Sequence, residues 1–134
     1  MYRNDDIVSE RHVQAIWYDA ALRPGELRTA GGAPVRVVDP GRWNLEAGPD
    51  FRDAVLEIGD DRRRVRGDVE VHVRAADWAA HGHGRDPAYA GVVAHVTWHP
   101  GPPPVGRRLT AAALRAHLHR RRPPHAARLL AGGD

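Results

Sequence analysis

The sequence predicts an α+β fold, a mainly antiparallel or mixed sheet with flanking helices, on three observations. A helical stripe near the start gives way to short β-branched runs punctuated by glycine, proline and aspartate. Two of those runs, 51–58 and 65–73, are joined by Gly59-Asp60-Asp61 and read as a hairpin. The central alternation, Gly67-Asp68-Val69-Glu70-Val71-His72-Val73, puts Val69, Val71 and Val73 on one face of a strand and Asp68, Glu70 and His72 on the other.

Taken in order, residues 6–22 have helical spacing, with Ser9 as N-cap and Val13, Ile16, Trp17, Ala20 and Ala21 on one stripe ended by Pro24-Gly25. His12 reads as a solvated surface residue. The run 34–39 is the first strand, closed by Pro40-Gly41. In the loop Trp43-Asn44-Leu45-Glu46, Glu46 is either ordinary loop charge or a third carboxylate, and Trp43 and Phe51 are core candidates. Gly48-Pro49 turns the chain so that Asp50 sits at the mouth of strand 51–58. After His72 a short turn or helix capped near Asp77 leads to His81-Gly82-His83, then Pro87–Gly91 turns into strand 92–98. His95 shares a face with Val93 and Thr97. If that face is buried, His95 needs a partner, and Glu70 or His72 on a neighbouring strand supplies one. Residues 1–99 are expected to form the α+β core domain. Residues 100–134 are expected to be a proline-rich linker, a helix with the spacing of 109–119, and a basic, partly disordered tail.

Composition narrows the chemistry. The 134 residues suit one domain, and the absence of cysteine excludes disulfides, thiolate catalysis and zinc fingers. No apolar run reaches the ~20 residues of a membrane span and the start has no signal-peptide pattern, so no membrane partner and a cytoplasmic location are expected. All 20 basic residues are arginine and the net charge is +3. Guanidinium suits a nucleic-acid partner, although GC-rich coding yields the same bias. A single serine, Ser9, argues against a serine nucleophile. Nothing in the sequence sets the oligomeric state.

The polar face of the central strand has two readings. One is a half-buried strand whose outer face is solvated. The other is a carboxylate and imidazole cluster for a divalent cation. The hairpin brings Asp50 towards Glu70, which makes them the leading ligands for Mg²⁺ or Mn²⁺, with Asp68, His81, His83 and His95 as further candidates. His72 would orient or deprotonate water. Arg62, Arg63 and Arg64 would grip phosphates. A zinc hydrolase using His72, His81, His83 and Asp86 is the rival chemistry, with Zn²⁺ in place of Mg²⁺, and a non-catalytic nucleic-acid-binding module is a third.

Pro49-Asp50, the hairpin, and Glu70-Val71-His72 resemble the PD-(D/E)xK nuclease superfamily, with His72 where lysine is usual. That resemblance implies a restriction-endonuclease-like core. It also implies a metal-dependent phosphodiesterase acting on nucleic acid, in which Asp50 and Glu70 bind the ion and His72 stands beside the water. A broader resemblance runs through residues 9–17, 40–51, 67–72, Asp77-Trp78, His81-Gly82-His83, Asp86–Tyr89 and His95–Trp98. On these residues the chain resembles the amino-terminal part of a bacterial family known as domain of unknown function 2851, and this resemblance implies no activity.

Overall fold

The computed structural model describes residues 9–74, 76–80, 86–99 and 110–113. Helix α1 (Glu10–Tyr18) starts where Ser9 leaves the helical region at φ −96° and ψ 164°. The Ser9 hydroxyl accepts from His12 N–H and the His12 ring nitrogen Nδ1 accepts from Ser9 N–H, both at 3.3 Å. This reciprocal cap gives His12 a structural task, where the sequence suggested a solvated bystander. The helix ends short of the expected Leu22. Asp19 turns extended, gives its N–H to the Ala15 carbonyl, and accepts from Ala21 N–H through its own carboxylate. Local side-chain bonding of this kind competes with helix. Val13, Ile16 and Trp17 are buried as expected, while Ala20 and Ala21, placed beyond the helix, are exposed.

Among the described residues seven strands follow: β1 (Leu27–Arg28), β2 (Pro34–Asp39), β3 (Arg42–Trp43), β4 (Phe51–Ile58), β5 (Arg63–His72), β6 (Val92–Thr97) and β7 (Thr110–Ala113). They form one mixed sheet in the order β1-β2-β4-β5-β6-β7, with β3 paired to β4 beside β2. The pairings from β1 to β5 are antiparallel, and β5–β6 and β6–β7 are parallel. The sheet curls until β1 approaches β7. The helical spacing from Leu109 is overturned at Thr110–Ala113, which is strand. Alanine favours helix in isolation, but the open edge of β6 offers a ladder, and tertiary pairing outweighs weak propensity. The linker at 100–109 and the tail from 114 lie outside the described residues.

One face of the sheet takes α1. Val13, Ile16 and Trp17 pack with Phe51, Leu56, Val69, Val71 and Val96 in one buried cluster. Trp17 also donates from Nε1 to the Pro40 carbonyl at 3.1 Å, tying the helix to the β2–β3 turn. A parallel pair requires a crossover, and the segment between β5 and β6 carries α2 (Asp77–Ala80) and a 3-10 turn at Pro87–Tyr89. Trp78, Tyr89 and Val92 form a second, smaller cluster.

Gly67 sets how closely β5 approaches the end of that crossover. A Cβ there would strike the Val93 side chain and stand 2.8 Å from the Gly91 carbonyl oxygen. Gly67→Ala is therefore expected to cost about 1–3 kcal/mol, the usual range for an overpacked site, measured as a shift in urea midpoint. An unchanged midpoint would show that the strands can separate freely.

Candidate functional site

The site begins in the loop before β4. Gly48 takes φ +105°, and Asn44 fixes the turn by donating from Nδ2 to the Pro49 carbonyl at 2.8 Å while its N–H bonds the Asp50 carbonyl at 2.7 Å. Asp50 is thus held at the mouth of β4, as the sequence suggested. Its Oδ2 accepts from Val71 N–H at 2.7 Å, capping β5 where β4 has not yet begun, and its Oδ1 accepts from Gln14 Nε2 at 2.8 Å. Asp50 N–H in turn donates to Glu70 Oε1 at 3.3 Å. The hairpin does bring these two carboxyls together.

The polar face of β5 is not solvated at its Glu70–His72 end, beside His95 of β6. Glu70 is 4 % exposed, His72 0 % and His95 1 %, so the ordinary half-wet strand does not describe this face. Burial, with the negative charge of Asp50 beside it and hydrogen bonding between the two carboxyls, pushes the Glu70 pKa up to about 10. Glu10 on α1 adds to the same effect. Glu70 accordingly keeps its proton at neutral pH.

His72 and His95 complete the cluster. His72 Nε2 lies 3.3 Å from Glu70 Oε2, and His72 Nδ1 lies 2.8 Å from His95 Nε2. At that distance one ring nitrogen donates and the other accepts, so the tautomer of each ring is tied to the other. The rings meet edge-on at 5.0 Å, and Trp78 packs against His95 at 5.2 Å. The expectation that a buried His95 finds its partner on the neighbouring strand holds. Tyr89 closes the same side. Burial, then the charges of Glu70 and Asp50, push its pKa up to about 12, and its phenol stays protonated.

Other candidates are placed elsewhere. Asp68 Oδ2 accepts from Arg52 Nη1 at 3.1 Å and Asp68 Oδ1 accepts from Asp53 N–H at 3.2 Å, so this carboxylate is engaged beside the pair. Arg62, Arg63 and Arg64 do not flank it. Register pairs Arg63 with Ile58 at the turn and Val69 with Phe51 at the mouth, which separates the arginine run from Glu70 by roughly 20 Å of strand. Arg64 and Arg36 bond Glu57 there, both at 3.0 Å, and hold its carboxyl below its ordinary pKa. Glu46 is an exposed loop residue. Asp86 caps the 3-10 turn by accepting from Ala88 N–H at 2.9 Å. His81 and His83 lie outside the described residues.

Sequence reasoning missed the contribution of α1. Glu10 and Gln14, one helical turn apart, flank the buried stripe and reach the carboxyl pair, and their spacing is the one signal that pointed there. Arg52 and Tyr89 were missed as well.

Among the described residues no three His, Asp or Glu side chains converge to hold a metal ion. The described donors nearest one another are oxygen donors, which would suit a hard ion. Asp50 and Glu70 supply two adjacent carboxyls, and Mg²⁺ commonly uses one or two carboxylates and keeps water elsewhere. Among the described residues His72 and His95 bond each other and Asp86 caps a turn, while His81 and His83, the remaining donors of the zinc reading, lie outside them.

Comparison with curated proteins and with solved structures found no match. No helix among the described residues is long and apolar enough to cross a membrane. A family model described as protein of unknown function (DUF2851) matches residues 10–121, the greater part of the chain and the whole of the site built above, and the chain belongs to that family.

Proposed function

We propose that this chain is a cytoplasmic, nuclease-like phosphodiesterase with a restriction-endonuclease-like core, in which Asp50 and Glu70 hold Mg²⁺ or Mn²⁺ beside a nucleic-acid phosphate. The observation that carries the reading is the carboxyl pair at the strand mouth, where half-buried Asp50 donates its N–H to buried Glu70 at 3.3 Å. The helix, the antiparallel hairpin and the further strand on β5 support it, as does the order Pro49-Asp50 then Glu70-Val71-His72.

When bound, the ion supplies Lewis acidity and a water of lowered pKa. The remaining work falls to the chain. Gln14 Nε2 and Val71 N–H orient Asp50 by both oxygens. Glu70 must release its proton, and the ring of His72 is the nearest base, with His95 behind it. His72 is buried and turned to Glu70, so it acts on the carboxyl more directly than on a water. Tyr89, protonated and beside both acids, is a neutral donor for an anionic substrate.

The test is cleavage of labelled DNA and RNA with Mg²⁺ or Mn²⁺ by the wild type and by Asp50→Asn, with circular dichroism to show that the fold is kept. Wild-type cleavage that Asp50→Asn loses is the expected result. Equal cleavage by both sinks the mechanism. Salt-dependent binding without turnover under any divalent ion would make the chain a binding module instead.

A further inference from the structure

The acidic pair needs a counterpart for the charge of a phosphate, and the arginine run at the hairpin turn is too far away to supply it. Among the described residues Arg52 reaches this end of the hairpin, bonding Asp68 two residues before Glu70, and Arg42 lies across from Arg52 on β3. Register on β3–β4 pairs Trp43 with Phe51 and Arg42 with Arg52. The Trp43 and Phe51 rings meet at 5.5 Å on the core face, so the next cross-strand pair falls on the opposite face. That is the face of Asp68 and Glu70, as the 3.1 Å ion pair between Arg52 and Asp68 requires. Arg52 also acts electrostatically on Tyr89, the phenol that feels both Glu70 and Asp50.

Two like charges directly across an antiparallel pair destabilise a sheet. Here each is anchored by a carboxylate. Arg42 pairs with Asp53 at 3.1 Å and Arg52 with Asp68 at 3.1 Å, while Asp53 N–H bonds Asp68 as well. Asp53 takes φ +57°, a left-handed conformation that strains a non-glycine residue, and lies within the irregular register between Phe51 and Ala54. Gly48 makes room for the fork, since a Cβ there would stand 2.8 Å from Arg52 Nη2. The result is two oriented guanidinium groups that still meet solvent, with the Arg52 side chain 37 % and the Arg42 side chain 73 % exposed.

We propose that Arg52, flanked by Arg42, is the phosphate-binding residue of this site and grips the nucleic-acid backbone next to Asp50 and Glu70. The inference rests on the nuclease-like reading above and adds which end of the hairpin the nucleic acid crosses. A guanidinium held by one edge keeps further N–H groups for a phosphate in a fixed geometry, which suits it to this task.

Binding of a fluorescent oligonucleotide in EDTA, titrated over salt, separates grip from turnover. Arg52→Gln is expected to weaken binding roughly tenfold, as loss of a charge-assisted hydrogen bond does. It should also reduce the slope of log affinity against log salt by about one. Arg42→Gln should shift both in the same direction, Arg52→Lys should keep the slope and lose part of the affinity, and Arg63→Gln should change neither. If Arg52→Gln fails to fold, the exposed Arg42→Gln carries the test. Wild-type affinity in both the Arg42→Gln and Arg52→Gln proteins overturns the proposal, and so does an equal loss on Arg63→Gln. A wild type that neither binds nor cuts overturns the nuclease reading with it, whereas one that binds and cuts regardless of Arg42 and Arg52 overturns this inference alone.

Discussion

Glu70→Gln is expected to remove a pH dependence from the stability of the ion-free protein and, in the same substitution, to abolish divalent-ion binding. In the folded chain the Glu70 carboxyl holds its proton up to about pH 10, whereas its ordinary value is 4.5. Between those limits the folded state binds more protons than the unfolded one, so stability falls as pH rises. The contribution is whole below the ordinary carboxyl value and gone once pH passes through the folded one. One proton corresponds to at most about 1.4 kcal/mol per pH unit. Gln resembles the protonated acid and cannot lose a proton, so the variant should gain on the wild type with each step from pH 6 to pH 9. Thermal melts in EDTA over that range make the comparison, and parallel curves would refute it.

On the proposed reading the same residue would make ion binding pH-dependent in the opposite sense. A cation that takes the place of the proton binds more tightly as pH rises, by up to tenfold per pH unit, and releases acid into weakly buffered solution. Altering a residue behind a metal ligand commonly costs 10–100-fold in affinity or activity, and loss of the ligand itself costs more. Cleavage by Glu70→Gln should therefore fall by roughly a hundredfold or more.

Phe51→Ala is expected to destabilise the chain by about 3–5 kcal/mol, the range for truncating a buried aromatic residue. Phe51 is fully buried, stacks on Tyr18 at 5.9 Å, meets Trp43 tilted at 5.5 Å, and pairs with Val69 in the ladder. Against a typical domain stability of about 5–15 kcal/mol the loss is large. Because Asp50 is its neighbour, carboxyl placement should suffer before the fold is lost, and Phe51→Leu, which keeps much of the apolar volume, should recover most of both. Urea unfolding decides the matter, and a cost below about 1 kcal/mol would mean that the three rings pack loosely.

Much of this arrangement was legible in the residues. Ser9 marked the helix start, Pro34–Asp39 and Phe51–Ile58 are the strands that their composition announced, and Gly59-Asp60-Asp61 makes the turn. The meeting of Asp50 with Glu70 followed from hairpin geometry alone. The placing of Arg62, Arg63 and Arg64 beside that meeting did not, because a hairpin has two ends and the arginines belong to the turn. Alternation showed that Asp68, Glu70 and His72 share a side, but not whether water covers it. That depends on Trp78 and Tyr89 in the crossover, and on how α1 docks, neither of which periodicity records. The two-residue strands β1 and β3 and the alanine-rich β7 carry too little local signal, since their pairing is dictated by the edges they meet.

The irregularity in β4 has a consequence for what such a ribbon can display. A regular strand presents only alternate residues to each side, which would leave Arg52 and Asp53 looking away from each other. The extra residue opposite Asp68 lets one acid clasp both a guanidinium and the next amide along. Deleting Asp53 would smooth the ribbon and halve the chemistry crowded onto that short patch, so length there should prove less negotiable than composition.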